Sequence, residues 1–87
     1  MEDKELFAGL EEILKTPHER RNAWVSEDKE ITPEMKFRND LGMDSLDAYE
    51  FIYTVEEKLG VCIPDEKANE FDSPKDCMDY LRKSNQI

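Results

Sequence analysis

Eighty-seven residues make one small domain, and at this size only about 60% of the unfolded chain's surface is buried, so the core is thin. Hydrophobic residues are 38% of the chain and charged residues 39%, and 22 acidic against 12 basic residues leave a net charge of −10. That balance excludes a phosphate-backbone binder, so no nucleic acid is expected as a partner; it favours partners that carry Arg and Lys patches.

No apolar run approaches the roughly 20 residues that cross a bilayer. The acidic start MEDKELFAGL lacks the apolar core of a signal peptide. The sequence therefore predicts no membrane partner and a cytoplasmic location, and Cys62 and Cys77, without CxxC spacing, read as free thiols. Charge is uneven: residues 1–39 hold 10 acidic and 7 basic residues, residues 40–80 hold 12 and 3.

In chain order, Leu6, Leu10, Ile13 and Leu14 trace one helical stripe, widened by Phe7, and Pro17 ends this helix near Lys15. Residues 16–40 are polar and contain Pro17 and Pro33. They read as a long loop anchored by apolar side chains, with Phe37, Leu41 and Trp24 or Val25 turned inward and a short helix after Pro17. Residues 45–59 are the clearest helix. Leu46, Ala48, Phe51, Ile52, Val55 and Leu59 share a face, although the burial of Leu46 is left open; Asp47, Glu50, Thr54, Glu57 and Lys58 lie mainly outside it. Asp44 is the expected N-cap, with Asp47 in the first turn, and Gly60 the expected left-handed C-cap. Val61 to Pro64 is extended. Residues 65–71 make one or two helical turns capped by Asp65. A last helix over about 74–84 starts with Ser73 as N-cap and Pro74 at its first position, and buries Cys77, Met78 and Leu81 beside Tyr80. Four helices with the longest connection after the first predict an all-α fold, a small four-helix bundle with a long first loop and a short third helix.

Little in the chain resembles catalytic machinery. His18, the one histidine, sits beside Pro17 in the polar loop and reads as solvent-exposed, so no Ser/His/Asp set is expected. No HExxH, Walker loop or GxGxxG occurs, one His and two distant Cys cannot build a zinc site, and residues 39–44 lack the ligand pattern of an EF-hand. No metal site and no catalytic residue are expected. The informative segment is Asp40-Leu41-Gly42-Met43-Asp44-Ser45-Leu46, which puts a serine hydroxyl at the start of a helix. Capping logic alone makes Ser45 an ordinary helix-start residue. A phosphate on that hydroxyl would also face the positive end of the helix dipole, so modification stays open on the same residues.

The stretch FRNDLGMDSLDAYEFIYTVEEKLGVCIPDE strongly resembles the acyl carrier proteins, the phosphopantetheine-binding carrier domains. It contains their LGxDSL signature around Ser45, an acidic helix, and the IPDE segment from Ile63 to Glu66. The resemblance is strongest over residues 30–81 and weaker over 1–29. It implies a four-helix bundle over residues 1–87 with no catalysis of its own. It also implies 4′-phosphopantetheine, covalent and derived from coenzyme A, attached to Ser45 by a phosphopantetheinyl transferase that supplies its own Mg²⁺. Acyl groups would then ride as thioesters on the arm's thiol, not on Cys62 or Cys77.

The same resemblance turns the acidic helix into a recognition face. Asp44, Asp47, Glu50, Glu56 and Glu57 would meet basic patches on acyl-transferring and acyl-modifying enzymes, with Leu46, Met43, Tyr49 and Tyr53 as further contacts. Candidates for an acyl-accepting cavity are Phe51, Val55, Leu59, Ile63, Phe71, Cys77 and Leu81. Ser45 lies later in the chain than in the usual stand-alone carrier, and the added stretch, with Pro17, His18, Arg20 and Arg21, makes the first half nearly charge-balanced. That departure suggests a specialised carrier rather than the housekeeping protein of fatty-acid biosynthesis, working as a monomer with transient partners. Two other readings are a peptidyl or aminoacyl carrier of the same fold and an unmodified acidic adaptor for basic partners.

Overall fold

A computed structural model describes residues 2–17 and 22–87. The short helix expected after Pro17, the exposure of His18, and the roles of Arg20 and Arg21 fall outside the described residues. Among the described residues four helices run in order: α1 Asp3–Lys15, α2 Ser45–Leu59, α3 Asp65–Ala68 and α4 Pro74–Lys83. Helix α1 packs against both α2 and α4. Its stripe Leu6, Leu10, Ile13 and Leu14 is buried, as its spacing requires.

Helix α2 is bounded at both ends as its sequence dictates. The Asp44 carboxylate accepts from the Asp47 amide at 2.8 Å, and the Asp47 carboxylate accepts from the Asp44 amide at 3.3 Å, a reciprocal capping box. Gly60 ends the helix at φ 67°, the left-handed conformation in which glycine carries no Cβ penalty. Thr54 was expected outside but is buried. Its hydroxyl donates to the Glu50 carbonyl at 2.9 Å, so burial against the α1 side leaves no polar group unsatisfied.

The start of α3 differs from expectation. Asp65 is its first helical residue and Pro64 the residue before it, so Asp65 does not cap. In α4, Ser73 is the N-cap residue with Pro74 next, but its hydroxyl makes no capping bond. The nearby carboxylate of Asp76 accepts the Asp72 amide at 2.8 Å instead.

The long connection is held along its course. Among the described residues, 22–44 contain turns but no helix or strand. Val25, Ile31, Phe37, Leu41 and Met43 are buried in the same core as the helices. The Val25 amide donates to the Leu14 carbonyl (3.1 Å), Phe37 to Asp72 (2.8 Å), and Lys75 to Pro33 (2.9 Å), tying the connection to the end of α1 and the start of α4. Phe51 sits fully buried at the centre, with Phe37 tilted against it at 5.6 Å and Trp24 edge-on at 6.0 Å between ring centroids. No helix of the described chain is long and apolar enough to cross a membrane.

Candidate functional site

Ser45 is the first residue of α2 and its side chain is exposed. The turn before it is set by Gly42 at φ 67° and by Met43, whose amide donates to the Phe37 carbonyl at 2.8 Å. Buried Phe37, Leu41 and Met43 pull the loop inward, and the capping box then turns the chain into α2 with the serine hydroxyl outward. The capping box engages the amides of Asp44 and Asp47. Among the described residues no hydrogen bond is recorded to the amides of Ser45 and Leu46, so the helix dipole still presents donors beside the hydroxyl.

Met43, expected as a surface contact, is 2% exposed. Its side chain belongs to the core cluster, so it cannot serve a partner directly. Leu46 behaves in the opposite way: it is 67% exposed, and Tyr53 is 65% exposed. With Glu50 and Glu57 these residues recur at steps of four, three and four, so they form one outward stripe that alternates apolar and acidic. Asp44 lies exposed at the head of the helix and Asp47 in its first turn. Glu56 leaves this group: its carboxylate accepts the Ile63 amide at 2.9 Å, which fixes the chain after α2.

The cavity candidates do not line one space. Phe51, Val55, Ile63, Cys77 and Leu81 are buried in the closed core. Leu59 lies on a groove of about 430 Å³ between α1 and the C-terminal end of α2, with Gly9, Ile13 and Thr54. Phe71 lies instead on a groove of about 520 Å³ that opens at Ser45. This second groove has Lys36, Phe37, Arg38 and Asn39 on one side, Ala68, Asn69, Phe71 and Asp72 on the other, and Asp44, Ala48 and Tyr49 beside the serine. The Tyr49 hydroxyl hydrogen-bonds the Asn69 side chain and so ties α2 to the end of α3.

Lys36, Arg38, Asn39 and Asn69 were not singled out in the sequence. The available signal was slight: two cations on either side of an inward-facing Phe37, just ahead of the most acidic part of the chain.

The residues present fit a phosphate-linked arm. An exposed hydroxyl stands at the positive end of a fifteen-residue helix, on the rim of a groove that holds two cations. Neither thiol duplicates the chemistry of such an arm: Cys62 is exposed away from the groove, and burial, with Asp76 adding to it, pushes the Cys77 thiol up to about 12. Among the described residues no cluster of three or more His, Cys, Asp or Glu could hold a metal ion.

Comparison with known proteins agrees with this geometry. The family described as "Phosphopantetheine attachment site" matches residues 5–81. An acyl carrier protein of Treponema denticola is 41% identical over 78 residues, 90% of this chain and 92% of that protein. One of Treponema pallidum is 50% identical over 56 residues, 64% of this chain and 72% of that protein. Among solved structures, a Toxoplasma-specific mitochondrial acyl carrier protein superposes with a TM-score of 0.66 at 25% identity, over 100% of this chain and 98% of that one.

Proposed function

This chain belongs to the acyl carrier protein family, which are carriers rather than enzymes and have phosphopantetheine as their cofactor, and from that premise we propose that Ser45 is its attachment residue and α2 its docking helix. The observation that carries the assignment is the exposed Ser45 hydroxyl, placed by the Asp44–Asp47 capping box on the rim of the larger groove. In the transfer, Ser45 Oγ attacks the pantetheine-bearing phosphorus of coenzyme A. The new O–P bond replaces the pyrophosphate bond, adenosine 3′,5′-bisphosphate leaves, and the serine proton passes to a base of the transferase. Once attached, the arm supplies a thiol that holds acyl groups as thioesters.

The chain's own residues then present that arm. Asp44 and Asp47 hold the helix start rigid through their mutual capping bonds, so the attachment oxygen has a defined direction. Leu46, Glu50, Tyr53 and Glu57 offer an outward stripe in which carboxylates steer a basic partner and the two apolar side chains give it contact area. The partners are a phosphopantetheinyl transferase and acyl-handling enzymes with basic patches. The association is fast, transient and weakened by salt, with the carrier itself monomeric and cytoplasmic. The names of its relatives favour acyl over aminoacyl cargo. The cargo belongs to fatty-acid or related lipid or secondary biosynthesis, and the near-balanced charge of residues 1–39 supports a specialised carrier.

Intact mass after incubation with coenzyme A, Mg²⁺ and a broad-specificity transferase tests the assignment. Wild type gains one phosphopantetheine and Ser45→Ala gains none while keeping its melting temperature. A gain on Ser45→Ala, or no gain on folded wild type with either a broad or a cognate transferase, overturns it.

A further inference from the structure

We propose that Lys36 and Arg38 form an anion-holding wall of the groove beside Ser45 and keep the phosphodiester of the attached arm against the body of the protein. The inference rests on attachment at Ser45 and adds a binding site to it. The serine lies on the groove rim among carboxylates: Asp44 and Asp72 line the same groove, and Asp47 and Glu50 follow on α2. A phosphodiester adds one more negative charge at this end of the molecule, so the outer face of α2 repels it. The cations among the groove-lining residues are Lys36 and Arg38.

Both have donors to offer. The backbone amide of Lys36 is taken by the Asp40 carboxylate at 2.7 Å. Among the described residues, neither the Lys36 nor the Arg38 side chain is recorded in an ion pair or hydrogen bond. An arginine fork can engage two phosphate oxygens at once, and a lysine adds a point charge from its flexible stem. Beyond them the groove suits an amide-bearing chain. Asn39 and Asn69 can exchange hydrogen bonds with amides, and Ala48, Ala68 and Phe71 offer apolar contact. The volume of about 520 Å³ falls within the range of roughly 300–1,000 Å³ seen for small-molecule sites.

The wall faces a different direction from the stripe of Leu46, Glu50, Tyr53 and Glu57, none of which lines the groove. A docked arm therefore leaves the recognition face open. A partner can bind before the arm is released, and release costs the Lys36 and Arg38 contacts.

Amide and ³¹P spectra of apo and holo protein test this, on wild type, K36Q/R38Q and a charge-matched control, K58Q/K83Q, with intact mass confirming one arm on each holo sample. In wild type and control, attachment shifts amides 36–39 and 69–72 as well as 44–47. In K36Q/R38Q the shifts retract to 44–47 and the ³¹P resonance moves towards that of free pantetheine phosphodiester. Salt at about 1 M, where the Debye length is about 3 Å, does the same to wild type. Shifts confined to 44–47 in wild type, or unaltered by K36Q/R38Q, overturn the wall while leaving attachment intact. Failure of the mass to rise overturns the attachment itself, and the wall with it.

Discussion

Asp44 caps α2, and the proposed function adds partner recognition, a pair of roles that substitution can separate. As N-cap it needs only an oxygen acceptor for the Asp47 amide; the proposed recognition role needs charge. Asp44→Ala should lose about 1 kcal/mol, a fall in melting temperature of about 4–8 °C at this chain length. Asp44→Asn should keep its melting temperature within a degree or two and weaken only partner association. Equal falls in both variants, by thermal denaturation, would show that the charge and not the acceptor holds the helix start. The two cysteines differ as sharply. Burial raises Cys77, with Asp76 reinforcing it, from an ordinary 9.0 to about 12, whereas Cys62 is exposed. A thiol whose folded-state value is raised contributes stability in full below its unfolded value, and that contribution falls as pH rises from about 9 towards about 12. Alkylation of the native protein at pH 8 should mark Cys62 alone. Labelling of Cys77 at a similar rate would mean that the core opens around α4.

At the scale of the element, α2 packs through its middle, where Phe51, Ile52 and Val55 are buried, and is bounded at its two ends. Its start is secured by side chains and its end by backbone conformation. A Cβ at Gly60 would meet nothing within 4 Å, so the cost of Gly60→Ala is conformational and not steric. That substitution should destabilise the fold by about 1–2 kcal/mol, the left-handed penalty for an L-residue. Gly60→Asn should cost less, because asparagine tolerates that region. Urea midpoints of the two variants check this, and an unaltered midpoint for the alanine variant would show that the turn can relax to another geometry. The segment after Gly60 is held by tertiary bonds: Ile63 by Glu56, and Cys62 by Gln86, whose side chain meets the Cys62 amide at 2.6 Å and its carbonyl at 2.8 Å. These bonds place α3, which buries no residue of its own and is too short to stand alone.

The molecule as a whole has more repulsion to relieve than attraction to lose. The net charge is −10. Among the described residues three ion pairs are local, Lys15–Glu11, Lys67–Glu70 and Lys75–Asp79, and Arg82–Asp3 joins α4 to α1. Lys15–Glu11 is part-buried and the other three are exposed; exposed pairs contribute little, typically about 0–1 kcal/mol each. Screening should therefore raise the melting temperature between low and moderate salt, and equal values in the two would mean that the acidic surface is already neutralised.

Much of this protein was legible in its residues. The stripe from Leu6 to Leu14, the capping pair Asp44 and Asp47, the bounds of α2 at Ser45 and Gly60, and the Ser73-Pro74 start of α4 all follow from local chemistry, because period, caps and turns act within a few residues. The signature around Ser45 identified the family for the same reason, since its residues are contiguous. Only the tertiary structure decided what depends on packing between distant segments. It turned Met43 inward and left Leu46 outward, took Glu56 out of the acidic face to hold Ile63, and buried Thr54 beside α1. It also closed a groove between residues 36–39 and 68–72, more than 25 positions apart in the chain. Sequence periodicity assigns a side chain to a face of its own helix; which face is covered is settled by the neighbour that arrives there.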